Sequence, residues 1–277
     1  MKYQTPLLMV YALINKPYIL DLLPGRSLIE YLVKHGVDIY LLDWGIPGQE
    51  DRRLRFDDLV TEYLPQAIER VKKTSGKDHL NLFGYCIGGL LIMLYAATHP
   101  DAPLSSLILL ATPIDFSHAG FVSTWFTPGS FDVDSLVDAM GNVPPSFIMS
   151  GANLLRVRGT LSLVQESIGD ARVPEVWSAF SLWGLDGVPF PGEAFRQWIK
   201  DFYQENKLVT NQLLLAGHHV HLSQITTPIM TIAAESDHLI PLSQIKPTLE
   251  AVSSAEKELF HFAWESFWTG DESEGGP

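Results

Sequence analysis

One cysteine lies in the sequence pattern with the clearest potential for chemistry. Cys86 is the only cysteine among 277 residues, and Gly84 and Gly88 stand two positions before and after it. A stretch typical of a buried strand precedes this segment, and a stretch typical of an apolar helix follows it. The two glycines allow strand and helix to pack closely while the turn holds an unfavourable backbone conformation. The pattern predicts a thiol nucleophile at the apex of a strand-turn-helix; the alternative is a cysteine that only fills apolar space.

The helix predicted to begin at Ile87 adds an electrostatic reason for this interpretation. Its first backbone N–H groups and the positive end of its dipole face the cysteine. Both favour a thiolate over a thiol, and both can stabilise an oxyanion. We therefore expect covalent catalysis at Cys86.

A candidate acid follows a later strand, in the segment Glu235-Ser236-Asp237-His238. One kind of catalytic triad has its residues in the chain order nucleophile, acid, base. Its acid lies after a strand that ends near the active site, where it orients an imidazole. Asp237 is the predicted acid and Glu235 the alternative acid. Asp237 could also serve only to cap the turn that follows.

The base of the triad is harder to find. Only His238 and His261 lie downstream of Asp237. His238 adjoins the acid, so the two side chains diverge. His261 alternates with Leu259 inside a predicted strand, which favours a sheet histidine, but it remains the candidate base. The triad is therefore incomplete in the sequence.

Strands and helices alternate along most of the chain, which predicts a mostly parallel sheet with flanking helices. A helix-rich, aromatic segment interrupts this alternation and resembles a cap over the carboxyl ends of the strands. We expect an α/β-hydrolase fold, in which a strand-turn-helix holds the nucleophile, here with cysteine where serine is usual. The predicted parts are a first core part at 1–112, a cap insertion at 113–217, a second core part at 218–263 and a divergent, disordered tail at 264–277.

The composition limits the classes of function. A formal net charge of −13 without a basic run argues against nucleic-acid binding. A lone cysteine allows no internal disulfide and fits a reducing compartment. No apolar run is long enough to span a bilayer and no signal peptide opens the chain, so we expect a cytoplasmic protein. The histidines of the segment Gly217-His218-His219-Val220-His221 lack a completing ligand, and we expect no metal there.

Several segments closely resemble the catalytic subunit of poly(3-hydroxyalkanoate) synthase, of the short two-component kinds called class III and class IV. The similarity runs from about Thr5 to Ala263. The segments that carry it are Thr5 to Leu23, Tyr40 to Gly45, Leu82 to Gly89, Pro189 to Glu193, Arg196 to Trp198, Asp201 to Gln204 and Ser236 to Ile240.

The resemblance implies an acyltransferase that polymerises (R)-3-hydroxyacyl-coenzyme A into a polyester. It assigns Cys86 as the acyl-carrying nucleophile and Asp237 as the triad acid. The backbone N–H of Ile87, with one from the loop at Ile14 and Asn15, would hold the oxyanion. It further implies a small helical second subunit, association with polyester granules, and no cofactor, since the coenzyme A thioester is the substrate.

The sequence departs from this family at both ends, so we expect a chain truncated relative to its members. Where the family has a Gly-His pair, this chain has Glu265 and Ser266. A chain without that histidine would be acylated slowly or not at all, because general-base assistance is worth about 10²–10⁴-fold. Two other interpretations remain. A cysteine-dependent hydrolase of the esterase or dienelactone type would have the same strand-turn-helix at Cys86, here called the elbow, and a catalytically silent homologue would have the same fold.

Overall fold

A parallel sheet forms the centre of the computed structural model, which describes residues 3–117, 126, 129–148, 173–235, 237 and 239–262. The strands within these residues are β1 (Leu7–Val10), β2 (Asp21–Leu23), β3 (Arg26–Ser27), β4 (Ile39–Leu42), β5 (Leu80–Tyr85), β6 (Leu104–Leu110), β7 (Leu214–Leu215), β8 (His218–His219), β9 (Ile229–Ala234) and β10 (Lys257–Phe262).

Six of these strands make the main sheet, in the order β10-β9-β6-β5-β1-β4. Every neighbouring pair is parallel. The mostly parallel sheet predicted from the alternation of elements is thus confirmed. Because all six strands run the same way, the loops that follow them share one edge of the sheet, which is where ligand sites of such folds are found.

Helices connect and cover the strands. The α-helices are α1 (Leu28–Lys34), α2 (Phe56–Asp58), α3 (Leu64–Ser75), α4 (Ile87–Thr98), α5 (Val133–Met140), α6 (Val173–Leu185), α7 (Gly192–Gln197), α8 (Leu242–Ile245) and α9 (Thr248–Ala251). Two π-helical segments, Leu59–Tyr63 and Trp198–Gln204, continue α2 and α7 respectively. Such segments are uncommon and often lie near functional sites.

Strand β1 is shorter than the apolar run that predicts it. The run extends from residue 7 to 14, but the chain leaves the sheet after Val10. Tyr11, Ala12 and Leu13 are nevertheless 2–5% exposed. Their hydrophobicity therefore reflects burial beneath the surrounding loops and helices, and not pairing with β4 and β5.

Local signals place several helix ends as expected. Ser27 caps α1, its hydroxyl accepting a hydrogen bond from the Glu30 N–H at 2.8 Å. The sequence has helical spacing of apolar residues from Phe56 to Lys73, which predicts a helix, and the structure has a continuous helical run from Phe56 to Ser75, closed by Gly76 at φ 68°. The sequence also predicts one helix near Ser243 to Val252. The structure has instead the short pair α8 and α9, because Pro247 lies between them.

The described residues of the segment 113–217 add helices and the short strand β7, which pairs with β8 just after the segment, and no strand of the main sheet. Its aromatic side chains Phe190, Phe195 and Phe202 are 0–1% exposed and belong to the same apolar cluster as the strands. The division of the chain at residues 112 and 217 stays a prediction. The tail expected at 264–277 lies outside the described residues.

Hydropathy along the helices gives no candidate for a bilayer span. Within the part of the chain that the structure describes, no helix is both long enough and apolar enough to cross a membrane.

Candidate active site

Cys86 occupies the turn between β5 and α4, at the carboxyl edge of the sheet. Its backbone has φ 55° and ψ −119°, a conformation that non-glycine residues rarely adopt. The Cys86 N–H donates to the Leu110 carbonyl at 2.9 Å, which ties the turn to the end of β6. The strained strand-turn-helix predicted from the sequence is present, and it directs the thiol away from both elements.

The glycines around the cysteine are required by close packing. A Cβ on Gly84 would lie 2.3 Å from the Cα of Gly89, and a Cβ on Gly88 would lie 2.2 Å from the carbonyl oxygen of Val10. Neither backbone neighbour can move far, since both belong to central elements. The glycines thus allow α4 to approach β5 and β1 closely enough to leave Cys86 at the apex.

Burial dominates the electrostatics of the thiol. Burial raises the pKa of Cys86, a hydrogen bond from the Ile87 N–H lowers it, and the charge of Asp237 raises it further, giving a value of about 12. The thiol is therefore protonated at neutral pH in this arrangement. Nucleophilic attack requires a base to remove that proton.

The structure brings Asp237 and Cys86 together, since the Asp237 charge acts on the thiol. Asp237 follows β9, and its Oδ1 also accepts hydrogen bonds from the N–H groups of Leu239 at 2.8 Å and Ile240 at 2.9 Å. The carboxylate thus fixes its own turn, as the alternative interpretation expected, and it lies within electrostatic reach of the nucleophile. Its role as triad acid stays a prediction.

Glu235 and His261 form a separate pair. The Glu235 Oε1 lies 2.7 Å from the His261 Nδ1, and both side chains are about half exposed. His261 lies on β10, the edge strand, three strands from β5. At about 4.8 Å per strand this is roughly 14 Å from the elbow. The structure does not bring His261 or Glu235 to Cys86, so His261 has the sheet position that its alternation favoured.

The described residues show no other base at the site. In the ranges the structure covers, none of the histidines is among the groups that shift the pKa of Cys86. His238, Glu265 and Ser266 lie outside the described residues.

The two predicted oxyanion donors have different surroundings. The Ile87 N–H already points at the Cys86 sulfur. Asn15 is 6% exposed and follows β1, the strand next to β5. Its side-chain amide donates to the Trp183 carbonyl at 3.3 Å, which anchors this loop to α6. The contribution of the Asn15 backbone to an oxyanion hole stays a prediction.

Three tyrosines near Cys86 were not identified from the sequence as site residues. Burial raises the pKa of Tyr11, Tyr85 and Tyr203, and the Cys86 charge raises each further, so all three lie near the thiol. Tyr85 precedes Cys86, and Tyr11 directly follows the neighbouring strand, so their places in the chain were a usable signal. Tyr203 comes from the π-helical segment Trp198–Gln204, and no local pattern connects it to the elbow.

Aromatic rings form one wall of the site. The ring of Tyr203 lies 4.8 Å from Phe116, 5.2 Å from Phe126 and 5.2 Å from Trp198, measured between centroids. Edge-to-face contacts of this kind hold the phenol in place. The wall lowers the polarity around the thiol, in agreement with its raised pKa.

The histidine-rich segment does not form a metal site in the described structure. His218 and His219 are exposed on β8, and the rings of His219 and His221 stack at 6.0 Å. Among the described residues, no three His, Cys, Asp or Glu side chains are arranged to hold a metal ion.

Comparison with known proteins identifies the fold and a group of relatives. A family model described as the alpha/beta hydrolase fold matches residues 5–138. A poly(3-hydroxyalkanoate) polymerase subunit of Haloferax mediterranei is 38% identical over 268 residues, covering 95% of this chain and 54% of the relative. One from Allochromatium vinosum is 37% identical over 242 residues, covering 85% and 67%. The chain thus spans about half the length of the archaeal relative and two thirds of the bacterial one.

Solved structures agree on the fold alone. A monoacylglycerol lipase of Paleococcus ferrophilus superposes with a TM-score of 0.53 at 18% identity, covering 94% of this chain and 86% of the other. An esterase of Exiguobacterium antarcticum gives a TM-score of 0.56 at 13% identity, with coverages of 94% and 84%. The predicted α/β-hydrolase fold is confirmed.

Proposed function

The chain belongs to the poly(3-hydroxyalkanoate) polymerase subunit family, and from this premise we propose that it transfers (R)-3-hydroxyacyl groups from coenzyme A to a growing polyester. Cys86 carries the acyl group as a thioester. The observation that supports this most directly is the strained turn at Cys86, with the Ile87 N–H directed at its sulfur.

Acyl transfer through a thiol suits this substrate. The Cys86 thiolate attacks the carbonyl carbon of the substrate thioester, the new carbon–sulfur bond forms, and coenzyme A leaves as its thiol. The Ile87 N–H and a second backbone donor from the loop at Asn15 stabilise the oxyanion between these steps. Asp237 orients the base and promotes attack by the 3-hydroxyl of the next unit.

Water competes with the 3-hydroxyl for the acyl group, and the aromatic wall reduces the access of water to the nucleophile. Phe116, Phe126 and Trp198 enclose Tyr203 beside the nucleophile. An apolar wall excludes water and accommodates an apolar polyester. Chain growth is then favoured over hydrolysis.

We also propose a small, mainly helical second subunit, and a location on cytoplasmic polyester granules. The resemblance to two-component synthases supports both, and the relatives that are themselves named as subunits support the second subunit.

The test measures coenzyme A release and polymer formation from 3-hydroxybutyryl-coenzyme A, with and without a helical subunit from a related two-component synthase. We expect release and polymer with the subunit and little of either without it. Hydrolysis without polymer would favour the cysteine-dependent hydrolase. Full-rate chain growth by the purified chain alone would contradict the need for a partner.

A further inference from the structure

Tyr11 lies beside the nucleophile. Its side chain is 2% exposed, and its ring stacks on Tyr85 with centroids 5.3 Å apart and planes at 26°. In the sheet register Val10 pairs with Gly84, so Tyr11 lies level with Tyr85, the residue before Cys86. The position is fixed further by the Trp44 Nε1–H, which donates to the Tyr11 carbonyl at 3.0 Å.

The hydroxyl of Tyr11 is an unused hydrogen-bond donor. Among the described residues it has no hydrogen-bond partner, although the neighbouring Tyr18 hydroxyl donates to Asp186 Oδ2 at 3.2 Å. It is also not one of the fully enclosed unpaired atoms, such as Trp198 Nε1. Buried phenol hydroxyls usually have a partner, so a side chain buried to this extent with a free, reachable hydroxyl indicates a ligand.

Burial and the neighbouring charges keep this hydroxyl protonated. Burial raises the pKa of Tyr11 well above its ordinary value, and the charges of Tyr85, Cys86 and Tyr18 raise it further. The hydroxyl therefore keeps its proton, and remains a donor, at neutral pH. The Cys86 charge acts on this phenol, and the sheet register places Tyr11 level with Tyr85, so Tyr11 lies in the surroundings of the sulfur.

We propose that the Tyr11 hydroxyl donates a hydrogen bond to the carbonyl oxygen of the thioester that reacts with Cys86. This rests on the proposed function, because it assigns a donor to the same acyl-transfer step. When the thiolate forms its bond to the carbonyl carbon, the carbonyl π electrons move to oxygen, and the Tyr11 O–H stabilises that oxyanion without giving up its proton. When the carbonyl forms again, the bond to the leaving sulfur breaks and coenzyme A takes a proton from the base.

The place of Tyr11 in the fold favours the carbonyl over other oxygens. In this fold the second oxyanion donor comes from the loop after the strand next to the elbow strand, here β1. Tyr11 is the first residue of that loop. Tyr203 lies among the aromatic rings of a different wall, and Tyr85 is influenced by the Asp237 charge on the acid side.

The test compares Tyr11→Phe with wild type, using Tyr95→Phe as the matched control. Phenylalanine keeps the stacked ring and removes only the hydroxyl, and Tyr95 is also buried, at 5% exposure, but lies toward the far end of α4. Acylation of Cys86, in the presence of the helical subunit used above, is followed by the mass of the intact protein over time. We expect Tyr11→Phe to lower the maximal acylation rate about 10²–10³-fold with little change in the half-saturating concentration. Tyr95→Phe should leave the rate unchanged, and melting temperatures verify that each variant is folded.

Two substrates identify the oxygen that Tyr11 contacts. Butyryl-coenzyme A has the thioester carbonyl and no 3-hydroxyl, whereas 3-hydroxybutyryl-coenzyme A has both. An equal loss with both substrates supports the carbonyl assignment. A loss only with the hydroxylated substrate would overturn it.

The outcomes also separate this inference from the proposed function. Equal acylation rates for wild type and folded Tyr11→Phe would refute the role of Tyr11 and leave polymerisation intact. Acylation of wild type without any chain growth would refute the polymerase function, while the Tyr11→Phe comparison would still be decisive. A wild-type chain that neither thioester acylates in the presence of the helical subunit would overturn both.

Discussion

Cys86 combines a backbone with positive φ and a partly buried thiol whose raised pKa keeps it protonated at neutral pH. Strain of this kind costs about 1–3 kcal/mol and persists only where the surrounding structure imposes it. Here Gly84, Gly88 and the hydrogen bond to Leu110 impose it. A residue that served only as apolar filling would need neither the conformation nor the position at the helix start, so the geometry favours catalysis.

Substitution of the nucleophile should separate chemistry from stability. Cys86→Ala is expected to abolish acyl-enzyme formation and to leave the melting temperature nearly unchanged, because the thiol contributes little packing volume. Cys86→Ser should retain little activity, since an alkoxide is much harder to form than a thiolate. Coenzyme A release provides the measurement, and undiminished release by the alanine variant would rule out the assignment.

The pH dependence of alkylation reports the environment of the thiol. Burial raises the pKa of Cys86 to about 12, with the Ile87 hydrogen bond opposing and Asp237 adding to the rise. The folded thiol therefore keeps its proton where an unfolded thiol, with a pKa of about 8.5, loses it. Iodoacetamide should modify Cys86 slowly at pH 7–9, and the rate should rise about tenfold per pH unit above that range.

Cys86 is the only cysteine, so the mass of the whole protein measures its alkylation by iodoacetamide directly. The same shift predicts that the free energy of unfolding falls as the pH rises between the unfolded and folded pKa values. A plateau of the alkylation rate at neutral pH would mean that a base acts on the thiol, contrary to this prediction.

At the scale of elements, the loop after β9 carries both candidate carboxylates. Asp237 lies within reach of the thiol, whereas Glu235 is paired with His261. Asp237→Asn keeps an oxygen for the Leu239 and Ile240 N–H groups but removes the charge. We expect it to slow acyl transfer about 10²–10⁴-fold, and to speed alkylation of Cys86, because a charge that raises the thiol pKa is lost.

Glu235→Gln is the matched control on the same loop. It should alter neither the acyl-transfer rate nor the alkylation rate. Equal losses of acyl transfer in both variants, or a loss in Glu235→Gln alone, would move the acid role away from Asp237.

The contact between α4 and β1 sets the shape of the elbow. Gly88→Ala would place a Cβ 2.2 Å from the Val10 carbonyl oxygen, so the helix must shift. Overpacking of this kind costs about 1–3 kcal/mol, and urea unfolding measures it. Gly48→Ala is the control, because its Cβ meets only the mobile carboxylate of Glu50. Equal stability of the two variants would contradict the packing argument.

Over the whole molecule, the features that could be predicted from the sequence are those that depend on local patterns of residues. The strand-turn-helix at Cys86 and the alternation of strands with helices both depend on residues close together in the chain, and the structure has them. The extent of β1 was overestimated, because buried residues such as Leu13 look like strand residues whether or not they pair. Tyr203 could not be placed, because only the packing of distant helices brings it to the nucleophile.

The central claim of this account is that Cys86 carries the acyl group, and the mass of the acid-quenched protein tests it most directly. The wild-type chain is incubated with 3-hydroxybutyryl-coenzyme A and the helical subunit, quenched, and mapped by peptide. We predict one or more 3-hydroxybutyryl units on the peptide that contains Cys86, and none in Cys86→Ala. Coenzyme A release with an unmodified Cys86 peptide, or with the acyl group on another residue, would contradict the account.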